Sequence, residues 1–256
     1  MEIGIIGANG MIGQNINEQY LNSNNVSKIT RENFTESANK KYNILFVTAA
    51  DARKYWVNQN PHYDLKHLCN LAEGIKNYTF DKLVLISSID VYNQVENKGD
   101  EKTHLKFENP SYGDNRLFLE LLLKSEFQNK LHIIRLQGII ANNLKKNALY
   151  DLKFKNELYK INKNNILQFY PISKLKQDID LCITNEIKLA NISCEPIKLS
   201  EIFIKYYPHL LSQADDSKPQ ANYDIKSIYS ETLLNKKDYW IQKDDIFKAI
   251  EDYFSI

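Results

Sequence analysis

The sequence predicts an α/β protein: a doubly wound parallel sheet followed by a small C-terminal lobe. Short apolar runs, of the kind buried on both faces of a parallel sheet, alternate with segments of helical spacing through residue 137. Four of the eight glycines lie within the first 13 residues, around and just after the first of these runs. The 256 residues, 43% hydrophobic and 25% charged, suffice for one large domain with a packed core.

The individual elements follow from the spacing of the apolar residues. Strands are expected at residues 2–7, 26–30, 43–47, 82–88 and 132–136. Helices are expected at 11–21, 53–77 and 112–127, the second being one helix or two broken near Pro61. Residues 31–41 fit no element, and a polar loop covers 93–110. Beyond residue 140 we expect a basic helix over 141–163, short strands at 167–170 and 188–192, and short helices mixed with turns over 195–256.

Charge and cysteine usage exclude several classes of protein. Lys and Arg total 33 against 32 Asp and Glu, a net charge of +1, which does not suit general electrostatic binding to nucleic acid. No run of about 18 apolar residues predicts a membrane span. The opening MEIGIIGANG does not resemble a signal peptide, and the three cysteines form no CxxC pair. We therefore expect reduced thiols in a cytoplasmic protein, and no metal site, since the five histidines also lack ligand spacing.

A glycine motif, GxxGxxG, joins the first predicted strand to the first predicted helix. Glycine tolerates positive φ in a tight turn, and it lets backbone N–H groups approach a pyrophosphate at the helix N-terminus. The motif therefore predicts a dinucleotide site of the Rossmann type, the alternative being a tight turn that binds nothing. The candidate cofactor residues of this loop are Gly7, Asn9, Gly10, Met11, Ile12 and Gly13.

Further segments follow this motif in a recognisable order. They are Thr48-Ala49-Ala50, Ser87-Ser88-Ile89-Asp90-Val91-Tyr92, Pro110-Ser111-Tyr112-Gly113-Asp114-Asn115-Arg116 and Arg135-Leu136-Gln137-Gly138. Together they resemble the extended short-chain dehydrogenase/reductase superfamily, in its sugar-nucleotide-modifying branch (the NAD-dependent epimerase/dehydratase family). The resemblance covers residues 1–140 well and the remainder loosely. It implies an NAD(P)-binding Rossmann core over 1–140, a substrate-binding lobe over 141–256 that returns late elements to the core, and cofactor contacts from Thr48, Ala49, Ala50 and Gln137.

The resemblance also implies a catalytic set of Ser88, Tyr112 and the residue at 116. In keto reduction a tyrosine hydroxyl donates the proton and a serine hydroxyl hydrogen-bonds the developing oxyanion. The family's YxxxK pattern has Lys where this chain has Arg116. Arg keeps the positive charge that lowers the pKa of the tyrosine and lies one helical turn away, on the same face. The alternatives are an Arg116 that only pairs with Asp114, and a non-catalytic binding protein.

Two positions, Ile89 and Arg31, reduce the possible reactions and cofactors. Dehydratases of this branch carry a pair of acidic residues after the catalytic hydroxyl residue. Here Ile89 replaces the first of the pair, so a dehydratase is not expected. Asp90, which remains, would orient substrate or cap a loop. Arg31 follows the second strand, where an acidic residue would select NAD, so NADP(H) is favoured and NAD(H) stays possible. The adjacent Glu32 leaves this choice ambiguous, and Arg31 could instead be a solvated loop charge.

Substrate contacts are expected on both sides of residue 140. Arg53 and Lys54 follow the third strand and could line the pocket on the sugar side. The resemblance places Lys145, Asn147, Gln168 and Tyr170 near the substrate, although Lys145 and Asn147 could equally be a solvated helix end.

The function expected from these residues and the resemblance is an NADP(H)-dependent reductase. It would act on a keto group of a nucleotide-linked sugar, for cell-surface polysaccharide of the capsule or O-antigen type. The alternatives are a sugar-nucleotide epimerase with tightly bound NAD and a non-catalytic dinucleotide-binding protein. Apolar stripes on the helices at 60–77 and 112–127 predict a homodimer built on a four-helix bundle, as in the family.

Overall fold

A computed structural model describes residues 1–255. The helices are α1 (Met11–Tyr20), α2 (Phe34–Ser37), α3 (Lys54–Gln59), α4 (Pro61–Ile75), α5 (Tyr112–Phe127), α6 (Ala148–Phe154), α7 (Leu175–Thr184), α8 (Leu199–Tyr206), α9 (Ser230–Leu234) and α10 (Lys243–Ser255). The strands are β1 (Glu2–Ile6), β2 (Asn25–Ile29), β3 (Lys41–Val47), β4 (Thr79–Ser88), β5 (Lys98–Gly99), β6 (Leu131–Leu136), β7 (Gly138–Ile140), β8 (Ile166–Leu167), β9 (Phe169–Pro171), β10 (Leu189–Asn191), β11 (Ile197–Lys198) and β12 (Asp224–Ile225). Among the residues described, no helix combines the length and apolar character needed to cross a membrane.

The chain divides into two compact units that are both discontinuous in sequence. The first unit contains residues 1–94, 104–135 and 173–190, and the second contains 95–103, 136–172 and 191–256. The first unit is built on a six-stranded sheet of order β10-β6-β4-β3-β1-β2. Strand β1 pairs in parallel with β2 and β3, and β3 pairs in parallel with β4. This is the doubly wound α/β architecture that the alternating pattern predicts.

The core of the first unit explains why its strands and helices form. Every residue of β6 is buried, as are four of the five residues of β1, so these strands have no solvent face. Helix α4 turns a stripe of apolar residues spaced by three or four positions toward the sheet. The stripe consists of Leu68, Leu71, Ala72 and Ile75.

The second unit is held by short strand pairs and buried polar ties. Strand β7 pairs in parallel with β9, β5 with β12, and β8 runs antiparallel to β11. The Glu101 carboxylate accepts hydrogen bonds from the backbone N–H groups of Asn191 and Ile228 and from the Ser227 hydroxyl. Burial raises the pKa of this carboxyl group above its ordinary value, although the three donors oppose the rise. These contacts join the segment 95–103 to two parts of the segment 191–256.

Most predicted elements of the first unit are confirmed. Helix α5 has the predicted bounds, and the chain breaks into two helices, α3 and α4, at Pro61. The segment 31–41, for which no element was predicted, contains the short helix α2, and helix α7 is an element that the spacing did not predict.

The predicted basic helix over 141–163 is wrong in extent, because only α6 and a 3-10 turn at Leu158–Lys160 form there. Helix α6 begins at an Asn147 cap and ends at Lys155, whose φ of 54° breaks the helical geometry. The predicted strand at 167–170 is interrupted at Gln168, between β8 and β9.

Candidate active site

The loops that follow the adjacent strands β2, β1, β3 and β4 meet at one edge of the sheet of the first unit. Open parallel sheets bind ligands at this edge, outside the carboxyl ends of their strands. The Thr48 backbone N–H and hydroxyl both donate to the carbonyl of Ile6, each at 2.9 Å, which ties the end of β3 to the end of β1. Gly7, Thr48 and Ser88 therefore all lie at this edge.

The glycine loop has a backbone that requires its first and last glycines. Gly7 has a φ of 87°, and a Cβ atom there would lie 2.8 Å from the backbone of Ala49. A Cβ atom on Gly13 would collide with the carbonyl oxygen of Gly7. The loop thus packs directly against Thr48–Ala50, the other segment that is predicted to contact the cofactor.

The N-terminus of α1 is suited to an anion. Its N-cap, Gly10, has an extended backbone and contributes no side-chain hydrogen bond, and the first turn contains no acidic residue. Asn9 and Gly10 are exposed, and Met11 and Ile12 are half-buried. The first backbone N–H groups of a helix need acceptors, and the helix dipole favours a negative charge there. The predicted cofactor residues of the loop thus surround a helix start able to hold phosphate.

Arg31 lies beside this loop. The backbone N–H of Gly7 donates to the carbonyl of Ile29 at 3.0 Å, and Arg31 follows two residues later with an exposed side chain. The neighbouring Glu32 carboxylate accepts a short hydrogen bond from the Thr30 hydroxyl. That bond holds the pKa of Glu32 below its ordinary value, so an anion stands next to the Arg31 cation at neutral pH.

A pocket of about 260 Å³ opens on the first unit at the start of α5. Tyr112 forms part of its wall, and Asp90, in the 3-10 turn after β4, forms another part. The lining residues are Lys54, Asn58, Asp90, Asn93, Ser111, Tyr112 and Gly113. Three predicted site residues, Lys54, Asp90 and Tyr112, therefore share one pocket.

The start of α5 is fixed by side-chain capping. The Ser111 hydroxyl accepts from the backbone N–H of Asp114 at 3.2 Å and donates to the Asp114 carboxylate at 2.5 Å. The backbone N–H of Tyr112 donates to the amide oxygen of Asn58 at 2.8 Å. A Cβ atom at position 113 would collide with the Asp90 carbonyl, so Gly113 lets this turn approach Asp90 closely. The backbone of Tyr112 is thus held from both sides.

Arg116 lies beneath the ring of Tyr112 and is paired with Asp64 of α4. The guanidinium carbon is 4.9 Å from the ring centroid of Tyr112, and Nη2 lies 2.5 Å from the Asp64 carboxylate. The two side chains are only 4% and 1% exposed. The alternative pairing of Arg116 with Asp114 is wrong, because the Asp114 carboxylate is occupied by Ser111 and Gln94.

Burial raises the pKa of Tyr112 above its ordinary value. The positive charges of Arg116 and Lys54 oppose this rise, whereas the negative charges of Asp90 and Asp64 add to it. The charge of Arg116 therefore lowers the pKa of Tyr112, as predicted, but burial raises that pKa by more. The phenol stays protonated at neutral pH, which is the form a proton donor needs.

Asp90 connects two other predicted site residues. Its Oδ1 accepts from Nζ of Lys54 at 2.7 Å, and its Oδ2 lies 3.4 Å from the Ser88 hydroxyl. The Asp90 backbone N–H donates to the same hydroxyl at 3.1 Å. Ser88 is thereby tied, through Asp90, to the wall of the Tyr112 pocket.

Among known proteins, only solved structures match this chain, and they show its fold. No family model matches the sequence, and no curated protein matches it. Solved structures do match along the whole chain. A dTDP-4-dehydrorhamnose reductase from Clostridium acetobutylicum is 15% identical, with 100% of both chains covered and a TM-score of 0.76. A UDP-glucuronic acid 4-epimerase from Bacillus cereus, in complex with NAD, is 16% identical over 100% of this chain and 97% of that one, also with a TM-score of 0.76.

The chain has the fold of the extended short-chain dehydrogenase/reductases. A third structure, of an NAD-dependent NDP-hexosamine 5,6-dehydratase, is 12% identical, covers 99% of this chain and 97% of that chain, and has a TM-score of 0.76. Reductase, epimerase and dehydratase are thus equally similar in backbone. The extended short-chain fold that the motifs indicated is confirmed, and the choice of reaction rests on the site itself.

Arg53, the remaining substrate candidate of the first unit, is exposed beside the pocket. Its guanidinium pairs with Asp51, with Nη2 at 2.6 Å from Oδ2, and its Cζ is 4.7 Å from the ring centroid of Trp56. That pairing holds the pKa of Asp51 below its ordinary value. Arg53 does not line the pocket of Tyr112.

The predicted site residues of the second unit are mostly engaged in holding that unit together. The Gln168 amide bonds the backbone of Cys194 and Ile225, and the Asn147 amide caps α6 and donates to the Ile139 carbonyl at 2.9 Å. Both have a structural role, and their assignment to substrate stays a prediction. Tyr170 is fully buried in β9, and Lys145 is exposed.

Gln137 differs from these amides. Its oxygen accepts from the backbone N–H of Cys194 at 2.8 Å. Its buried Nε2 has no hydrogen-bond partner among residues 1–255. An unpaired buried donor is costly, so this amide is open to an acceptor from a ligand.

A buried ionic network lies behind the site and was not predicted. Arg135 forks onto the Glu120 carboxylate, with Nη2 at 2.6 Å, and its Nη1 donates to the Tyr92 hydroxyl at 2.8 Å. The Ser87 hydroxyl donates to the same carboxylate at 2.5 Å. The network fixes the end of β4, where Ser88 lies.

Two residues that sequence reasoning missed are Asp64 and Asn58. Asp64 falls on the apolar stripe of α4, four residues before Leu68, and a carboxylate in such a stripe signals a buried cation partner. That signal was present in the spacing. No local pattern marks Asn58, whose partner Tyr112 is 54 residues away.

Proposed function

We propose that the protein is an NADP(H)-dependent reductase of a keto group on a nucleotide-linked sugar. The observation that carries the proposal is the pocket of Tyr112. It brings a protonated tyrosine, backed by Arg116, together with the Asp90 that holds Ser88, and it opens at the start of the helix where the family resemblance expects the proton donor.

The glycine loop fits the cofactor. A helix start without a side-chain cap, a first turn without acids and two glycines that cannot carry a Cβ atom suit a pyrophosphate. Gly7–Gly13 and Thr48–Ala50 would hold the dinucleotide, and Arg31 its 2′-phosphate. When bound, the cofactor supplies the hydride.

The chain's own residues supply the proton and the polarisation. The Tyr112 hydroxyl donates its proton to the carbonyl oxygen as negative charge develops there, and the Ser88 hydroxyl stabilises that charge. The raised pKa keeps Tyr112 protonated until this moment. Ile89 cannot protonate a leaving hydroxyl group, so the site favours reduction over dehydration.

The nature of the substrate rests on fold neighbours. The dTDP-4-dehydrorhamnose reductase and the UDP-glucuronic acid 4-epimerase are named for nucleotide-linked sugars, which supports the same class here. We propose that the second unit binds this substrate, and Arg53 stays a substrate candidate of the first unit. We further propose a cytoplasmic enzyme that serves the synthesis of capsule or O-antigen polysaccharide.

The second candidate function is a sugar-nucleotide epimerase with tightly bound NAD. The Glu32 carboxylate beside Arg31 favours it, because an acidic residue after the second strand suits the ribose of NAD. The two functions differ in cofactor balance, because a reductase consumes NADPH whereas an epimerase returns its cofactor unchanged.

The test is to assay the purified protein with NADPH and dTDP-4-dehydrorhamnose, and then with UDP-linked keto sugars. We expect stoichiometric loss of NADPH with one of them, and a loss about 10²–10⁴-fold slower with Tyr112→Phe as the matched control. Copurified NAD, with interconversion of sugars and no net NADPH loss, would establish the epimerase instead. Binding of NADPH without any turnover would establish a non-catalytic protein.

The proposed assembly is a homodimer through α4 and α5. Leu121 is 46% exposed on α5, and Tyr63 is 70% exposed on α4, so each helix leaves an apolar side chain for a partner. Sedimentation equilibrium should give twice the chain mass. A monomer mass at all concentrations would contradict this assembly.

A further inference from the structure

A reductase that uses Tyr112 as its acid needs a source of replacement protons. Each turnover leaves the tyrosine as a phenolate, which must be reprotonated before the next carbonyl is reduced. This requirement rests on the proposed function. It matters here because the residue at position 116 is an arginine.

Arg116 can supply charge but not a proton. A guanidinium stays protonated under all conditions in which proteins fold, so it does not exchange protons with a phenolate. Its contact with the 1% exposed carboxylate of Asp64 also keeps it away from solvent. The proton must therefore come from another group near Tyr112.

The charged groups that face Tyr112 come from four elements. Arg116 lies on its own helix, Asp64 on α4, Asp90 on the turn after β4, and Lys54 on α3. Asp64 is buried against Arg116, and Asp90 is an acceptor for Lys54 and Ser88. Lys54 is the member of this set that combines a titratable proton with contact to water, since its side chain is 51% exposed.

The position of Lys54 is fixed at the pocket. Its Nζ lies 2.7 Å from Asp90 Oδ1, and both residues line the same pocket of about 260 Å³ as Tyr112. An ammonium group carries three donors on a flexible stem, so it can bond Asp90 and still turn a proton into the pocket.

We propose that Lys54 is the residue that reprotonates Tyr112, and that Asp90 is the positioning residue that holds Lys54 at the pocket. In this step one N–H bond of the Lys54 ammonium breaks and one O–H bond forms on the phenolate. The neutral amine then takes a proton from water, and no electrons are exchanged. Burial makes the Tyr112 phenolate a stronger base than a phenolate in water, so it is a better acceptor for this proton. Arg116 thus supplies the fixed positive charge near Tyr112, and Lys54 supplies the transferable proton.

The test separates the first turnover from later ones, using NADPH and the keto sugar that the wild-type enzyme reduces. Tyr112 is protonated before the first turnover, so Lys54→Met should complete it at a rate close to that of the wild type. Later turnovers should be slower by about 10²–10⁴-fold, which gives a burst of one product per site. Asp90→Asn should give the same burst with a smaller loss.

Lys54→Arg is the matched control, because it keeps the charge and loses the transferable proton. If Lys54 donates protons, the arginine variant should show the burst of Lys54→Met, and added methylamine should restore the steady rate of Lys54→Met. If Lys54→Arg instead keeps the wild-type kcat, or only KM changes, Lys54 binds substrate and the proposal is overturned. A wild-type protein that never oxidises NADPH would overturn the proposed function itself, and this inference with it.

Discussion

Two ion pairs flank Tyr112, and they differ in what surrounds them. The pair of Arg116 with Asp64 is 4% and 1% exposed, whereas the pair of Lys54 with Asp90 is 51% and 17% exposed. Both pairs have contacts of 2.7 Å or less. A buried pair is held in one arrangement, because separating it leaves a charge without solvent, whereas an open pair can exchange partners with water and ligand. The buried pair therefore holds the Arg116 charge in one place beside Tyr112, whereas the open pair can take part in proton exchange.

The largest expected effect comes from substituting Tyr112, which lies between the two pairs. Tyr112→Phe keeps the ring over Arg116 and removes the transferable proton. Turnover should fall by about 10²–10⁴-fold, while affinity for the cofactor stays within a few-fold. Steady-state kinetics and fluorescence titration with NADPH measure the two quantities. Normal turnover in this variant would refute the catalytic assignment.

The second prediction compares how much each pair contributes to the free energy of unfolding. Asp64→Ala leaves the Arg116 guanidinium buried without a counter-charge and should lower the free energy of unfolding by about 3–5 kcal/mol. Asp90→Ala at the open pair should cost about 1 kcal/mol or less, since water replaces the lost partner. Urea unfolding of both variants measures the difference. Equal losses would mean that the exposure of the pairs does not decide their role.

Arg31 provides a third test, away from both pairs. If its guanidinium grips the 2′-phosphate of NADP(H), Arg31→Ala should cost one charge-assisted contact, about 1.5–3 kcal/mol of binding free energy for NADPH. Affinity for NADH should barely change. Calorimetric titration with each cofactor checks this, and Glu32→Ala, which changes the neighbouring charge, is the control. Equal losses for both cofactors would show that Arg31 does not recognise the phosphate.

The fourth prediction uses pH to distinguish the signs of the charges around Tyr112. Reduction requires the protonated phenol, so kcat/KM should fall as pH rises through the raised pKa of Tyr112. Arg116→Met removes a charge that lowers this pKa, so the alkaline limb should move to higher pH. Asp90→Asn removes a charge that raises it, so the limb should move to lower pH, each by about one unit or less. Shifts in the same direction would contradict the electrostatic account.

How much of this arrangement the sequence predicts depends on the range of the interactions. Helix α5 rests on contacts between neighbouring residues, so apolar spacing was enough to predict its bounds. The only partner that the sequence offered for Arg116 was the nearby Asp114, as an alternative, because the actual partner, Asp64, lies 52 residues away on another helix. Contacts of that range are set by how helices pack on the sheet, which local spacing does not encode.

The same limit explains the regions where the prediction failed. Residues 141–163 have helical composition, but Asn147 and Lys155 stop the helix through backbone conformations with φ of 124° and 54°. Helix α7 escaped prediction although its buried face, including Leu175 and Ile179, has helical spacing. In the second unit, the resemblance placed Gln168 near the substrate, and local spacing gave no sign of its three hydrogen bonds to backbone groups.

The smallest expected effect comes from restoring the family's lysine. Of the five donors of Arg116, only those on Nη2 bond Asp64, and Nε and Nη1 have no hydrogen-bond partner among residues 1–255. A lysine ammonium can make that one bond and keep the positive charge near Tyr112. Arg116→Lys should therefore cost about 1 kcal/mol or less of unfolding free energy and keep turnover within a few-fold. Urea unfolding and steady-state kinetics beside Arg116→Met measure both. If the lysine variant were as unstable as the methionine variant, the planar guanidinium stacked on Tyr112, rather than its charge, would be what the buried pair requires.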